Sequence, residues 1–93
     1  MATLLIKDTG LKNDDFDMIA AEDIAQREKW GEQEHDACTW LAIIAEEFGE
    51  MSKAVLEYQF GDGKLSRIEE EAIQVATLAL KIAAMIRETM GRR

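Results

Sequence analysis

The chain has 93 residues, 47% hydrophobic and 32% charged, with no proline. That length allows one domain at most, and the apolar content argues against a disordered tail. Acidic residues outnumber basic ones 19 to 11. The resulting charge of −8 argues against nucleic acid as a partner, and it repels free nucleotides unless a cation reverses the local sign.

Cys38 is the only cysteine, which rules out an intrachain disulfide and predicts a small buried side chain. The most apolar stretch, Ala72 to Ile86, is interrupted by Gln74, Thr77 and Lys81, too short and polar to cross a bilayer. No basic region followed by a long apolar run opens the chain, so a cytoplasmic location is expected.

Residues 1–12 read as an arm whose apolar patch, Leu4-Leu5-Ile6, packs on a neighbour. A first helix is predicted from Asn13, with Asn13 as its cap and Asp14 and Asp15 in the first turn. Phe16, Ile19, Ala20 and Ile24 give it a thin apolar stripe. Lys29 to His35 reads as a connector. A second helix is predicted from about Asp36 to Phe60, ended by the turn Gly61-Asp62-Gly63. A third runs from about Leu65 to Met90, capped by Gly91. The fold class is all-α: a long αα-hairpin with a preceding helix, within residues 13–93.

Placing each long helix on a wheel locates its carboxylates. The apolar arc of the second helix holds Trp40, Ile44, Met51, Ala54 and Tyr58. Glu47 falls inside that arc and Glu50 at its edge, with Glu46 and Lys53 further round. The arc of the third helix holds Ile68, Val75, Leu78, Ile82 and Ile86, with Glu71 inside it and Gln74 and Lys81 on one flank. Glu57, Glu69 and Glu70 read as solvated. An uncompensated carboxylate in an apolar interior costs several kcal/mol, and neighbouring ones repel each other. Raised pKa values are one relief and a bound cation is another. The donors are all oxygen, which selects Mg²⁺ or Mn²⁺ over Zn²⁺. A di-iron bundle needs Glu-x-x-His pairs, and the one histidine, His35, is in none.

Glu46-Glu47-Phe48-Gly49-Glu50 reads E-E-x-x-E, and Glu71-Ala72-Ile73-Gln74 reads E-x-x-Q. With Trp40 to Ala45 leading into the first motif, Gln74 to Leu80 following the second, and Lys29-Trp30-Gly31-Glu32-Gln33 upstream, residues 27–86 resemble the MazG-like branch of the all-α nucleoside triphosphate pyrophosphohydrolases. The resemblance implies a dimer or tetramer in which paired subunits form a four-helix bundle with Mg²⁺ among the acids. It implies metal ligation by Glu47, Glu50, Glu71 and Gln74, with Glu46 a ligand or the residue orienting the attacking water. The implied reaction cleaves a nucleoside triphosphate between its α and β phosphates. Gln74 stands where the family motif most often has Asp. Its amide can coordinate a hard cation but adds no charge, which implies weaker metal binding or one ion fewer.

Glu46 or Glu47 would accept the proton of a metal-bound water. Lys81 and Lys53 are candidate phosphate contacts, each with a surface ion pair as the plainer reading. Trp30, Gln33 and His35 are candidate base contacts, with packing as the plainer reading for Trp30. Phosphoribosyl-ATP and dUTP are alternative substrates. A catalytically silent oligomerising or nucleotide-binding module is the alternative function, and Gln74 is its best support.

Overall fold

The structure is a computed structural model and describes residues 3–91. They form three helices and no strand: α1 (Asn13–Trp30), α2 (Ala37–Phe60) and α3 (Leu65–Thr89). The all-α class is as expected. α2 begins where Asp36 accepts a 2.7 Å hydrogen bond from the Thr39 amide, satisfying one orphan donor of the first turn. That bond and the Thr39 hydroxyl hold the Asp36 carboxyl below its ordinary value.

The start of α1 departs from expectation. Asn13 is its first helical residue, not its cap. The Asp15 carboxylate instead accepts from the Lys12 amide at 2.8 Å. α1 also extends through Lys29 and Trp30, shortening the connector to six residues, 31–36. Gly31, at φ 72°, lets the chain leave the helix while its amide still donates to the Arg27 carbonyl. The amide of Gly91 donates to the Glu88 carbonyl past the end of α3.

The Leu4 amide donates to Gln59 Oε1 at 3.0 Å, whereas Leu5 and Ile6 are 88% and 81% exposed. Cys38 is exposed, not buried, because it lies in the first turn of α2 on the side away from the hairpin interior.

α3 is the shared helix: α2 and α1 both pack on it, and not on one another. The α2–α3 interface is the predicted one. Trp40, Ala54 and Leu78 are buried, while Ile44, Met51, Tyr58, Ile68, Val75 and Ile82 are half-buried; Ile86 is exposed. α1 docks differently from its predicted stripe. Phe16 and Ile24 are exposed, and its less accessible positions are Asp15, Ile19, Glu22, Asp23 and Gln26. These recur at helical spacing, so the face that α1 turns inward is largely polar. The side chain of Thr77 beneath it is fully buried and returns its hydroxyl to the Ile73 carbonyl at 2.7 Å.

On the side of the hairpin away from α1, apolar surface is left open. Leu41, Phe48 and Val55 recur every seventh residue of α2 and are 66%, 55% and 40% exposed. Ala79, Ala83, Ile86 and Met90 are exposed on α3. The chain exposes 7412 Å², where a compact monomer of its mass exposes about 5,400 Å². Its radius of gyration is 15.2 Å, against about 12 Å for a compact domain of this length.

The hairpin turn leaves no room for a side chain. The amides of Gly61 and Gly63 both donate to the Glu57 carbonyl, at 2.9 and 3.0 Å. A Cβ on Gly63 would stand 2.6 Å from the Tyr58 nitrogen and 2.7 Å from the Glu57 carbonyl carbon, both rigid backbone atoms. Gly63→Ala should therefore destabilise the fold by about 1–3 kcal/mol, the usual cost of overpacking. Thermal unfolding followed by circular dichroism checks this, and an unchanged midpoint would refute it.

Candidate functional site

Glu71 is 5% exposed, as its place in the apolar arc predicts. Arg67, one turn earlier on α3, reaches its Oε1 at 2.8 Å and also bonds Glu70 at 3.1 Å. Glu71 Oε2 is buried without a hydrogen-bond partner. Leaving such an atom dry and unpaired costs about 1–3 kcal/mol, and more for a charged group.

Glu47 is half-buried on the facing helix. Burial pushes its carboxyl above the ordinary value, and the charges of Glu71, Glu46, Glu50 and Glu22 push it further in the same direction. Carboxylates from all three helices thus act on one side chain. Glu46 and Glu50 are themselves exposed. Among the described residues, no three acidic, histidine or cysteine side chains are grouped closely enough to hold a metal ion. The acids meet through their fields and not around one shared point.

Beside Glu47 a cleft of about 380 Å³ opens between α1 and α2. α2 supplies Ile43, Glu46 and Glu47, and α3 supplies Gln74 and Leu78. α1 supplies Glu22, Ala25, Gln26, Lys29 and Trp30, and Gln33 of the connector completes the wall. Trp30 is 62% exposed, and the Lys29 ammonium lies 4.9 Å from its ring centroid. A cleft that combines an exposed aromatic ring, several amides and carboxylates can bind a planar base joined to a metal-neutralised anion.

The structure therefore brings five of the sequence-derived candidates into one cleft: Trp30, Gln33, Glu46, Glu47 and Gln74. Glu50 and Glu71 act on Glu47 from outside the lining. Three candidates lie elsewhere. His35 packs edge-on against Trp40, with ring centroids 4.9 Å apart. Lys53 is 4.0 Å from Glu57, the surface ion pair of the plainer reading. Lys81 Nζ lies 3.2 Å from Asp23 Oδ1 and donates to Gln26 Oε1 at 3.0 Å. A neighbouring cavity of about 510 Å³ includes Lys81, Trp40 and Met85 but none of the acids around Glu47.

Glu22, Gln26 and Lys29 are the functional candidates that sequence reasoning missed. Their signal is positional: with Trp30 they follow one another by four, three and one residues, which puts them on one side of α1. Comparison of the chain with protein-family models, curated proteins and solved structures finds no match.

A raised Glu47 carboxyl makes stability depend on pH. The folded protein keeps this proton to higher pH than the unfolded chain, so the charged group weighs against the fold as pH rises past its ordinary value of 4.5. Glu47→Gln should stabilise the metal-free protein at pH 7, and the gain should vanish at pH 4. Urea unfolding in a chelator at both pH values measures it. A gain of equal size at both would show that the carboxylate's charge is not the cause.

Proposed function

We propose that the cleft binds a nucleoside triphosphate with Mg²⁺ and hydrolyses it between the α and β phosphates, giving a monophosphate and pyrophosphate. One observation carries this reading: Trp30 and Gln33 share a single cleft with Glu46, Glu47 and Gln74. Three of the five residues that the motif resemblance singles out, Glu46, Glu47 and Gln74, line the cleft, while Glu50 and Glu71 bear on Glu47 from outside it.

The donors are all oxygen, which suits a hard cation, and the buried unpartnered Glu71 Oε2 is the kind of atom that a cation relieves, but the carboxylates would have to draw together from their present spacing to share one ion. Glu47, Glu50, Glu71 and the Gln74 amide are the residues that would hold Mg²⁺; Mn²⁺ suits the same donors. When bound, the ion offsets the negative charge of protein and phosphates and acidifies a coordinated water. Glu46, exposed and lining the cleft, would accept the proton of the attacking water. The water oxygen bonds to the α-phosphorus, the bond from that phosphorus to the bridging oxygen breaks, and pyrophosphate leaves with the bridging oxygen. Trp30 offers its ring face to the base, and Gln33 offers hydrogen bonds to its edge.

Pyrophosphate release should require Mg²⁺, measured across the common nucleoside triphosphates, dUTP and phosphoribosyl-ATP. Glu46→Ala and Glu47→Ala should each lower kcat by roughly 10²-fold or more, as loss of a general base does, with the helical spectrum retained. No release from any nucleotide would overturn the enzyme reading. A silent helical module would then stand, the outcome that Gln74 in place of an acid favours.

The same reading has two copies packing their hairpins into a four-helix bundle through the open apolar side. Support comes from the heptad spacing of Leu41, Phe48 and Val55 and from an area excess of about 2,000 Å², above the roughly 800 Å² per partner of a standard interface. Phe48→Glu should weaken self-association about 30-fold or more, the effect of losing a hot-spot residue. Sedimentation equilibrium measures it, and a wild-type chain that stays monomeric at high micromolar concentration would refute the pairing.

A further inference from the structure

α1 and α2 wall the cleft but do not pack on one another, so the spacing between its walls is set through α3. The apolar grip of α1 is thin, with Phe16 and Ile24 both more than half exposed. Among the described residues, its polar side-chain contacts with α3 converge on Lys81, through one hydrogen bond and one ion pair. The ammonium lies 3.2 Å from Asp23 Oδ1 and donates to Gln26 Oε1 at 3.0 Å. Gln26 then donates through Nε2 to Glu22 Oε2 at 3.0 Å. The chemistry leaves this amide a single orientation. An ammonium only donates and an ionised carboxylate only accepts, so the oxygen must face Lys81 and the nitrogen Glu22.

We propose that Lys81 is a positioning residue: bridging Asp23 and Gln26, it commits the Gln26 amide to Glu22 and holds α1, with Glu22 and Trp30, across the cleft from Glu46 and Glu47. Lys81 stands behind Gln26 and is not part of the wall that carries Glu46 and Glu47. It acts on a ligand through α1 and does not touch the phosphates. Freed of this tie, α1 spends less time in the closed arrangement. Ligand affinity then falls by the fraction of time lost, while the chemistry of the bound state is unchanged.

The ligand half of this proposal rests on the nucleotide reading above; the structural half does not. The test uses the full chain as Lys81→Met, Gln26→Met, the double variant and Lys81→Arg. One readout is amide hydrogen exchange. The other is the dissociation constant for α,β-methylene analogues of the common nucleoside triphosphates with Mn²⁺. Lys81→Met should speed exchange in α1 about tenfold, leaving α2 and α3 unchanged. Analogue affinity should fall about tenfold in Lys81→Met and in Gln26→Met, the double variant should be no worse than either, and Lys81→Arg should stay within about threefold of wild type. Unchanged exchange in α1 overturns the proposal. So does an affinity loss confined to Lys81→Met, which marks a direct phosphate contact, or losses that multiply in the double variant. Faster α1 exchange in a protein that binds no analogue upholds the tie and defeats the nucleotide reading instead.

Discussion

Carboxylates from three helices press on one half-buried side chain, and the arrangement of the site follows from that crowding. Glu47 meets the charges of Glu71, Glu46, Glu50 and Glu22 with part of its own hydration removed. Apolar packing would place none of these groups near one another. Their convergence is a standing cost, which a cation or protons can lift. The buried Glu71 sharpens the point: Arg67 answers one of its oxygens, and among the described residues nothing answers the other.

α3 serves two neighbours with two chemistries. Toward α2 it presents Val75, Leu78 and Ile82, and the contact is apolar with one acid buried in it. Toward α1 it presents Thr77 and Lys81 beside Leu80 and Ala84, and the polar part of the contact runs through Asp23 and Gln26. The first kind of contact is nondirectional and tolerant, whereas the second works only at fixed distances and angles. A helix held in the second way is suited to forming one side of a binding site.

The hairpin was legible in the sequence because its signals are local. A helix start near Asp36, a turn at residues 61–63 and a 3.6-residue apolar period need no knowledge of the partner, and the wheel that placed Glu71 indoors used the same period. α1 was misread because Phe16 and Ile24, the two ends of its apolar stripe, are more than half exposed, while Asp23 and Gln26 reach α3. The sequence cannot reveal that polar residues will be turned inward when their partner, Lys81, lies 55 residues away from Gln26. The ion pair of Lys81 is the plainer of its two readings, but its partner, Asp23, was hidden for the same reason. A cation on the flank of an acidic helix looks free until the third helix is laid against it. His35 and Lys53 failed to join the cleft on simpler grounds: nearness in sequence to Trp30 or Glu50 says nothing about which way a side chain turns.

The glycine turn also fixes rotational phase. With Gly61 and Gly63 both tied to Glu57, α3 leaves the corner at a set angle to α2. Glu47 lies 13 residues before Phe60, about 20 Å along the helix. At that distance it faces Gln74 and Leu78 only because both helices start from the same corner. One residue added to or removed from the first turn of α3 would rotate the residues beyond it by about 100° about the helix axis. Glu71 would swing out of the interior and Lys81 away from α1 together. Surface loops usually absorb length changes without penalty, but this one acts as the gear tooth that keeps two faces of a helix aligned with two different neighbours.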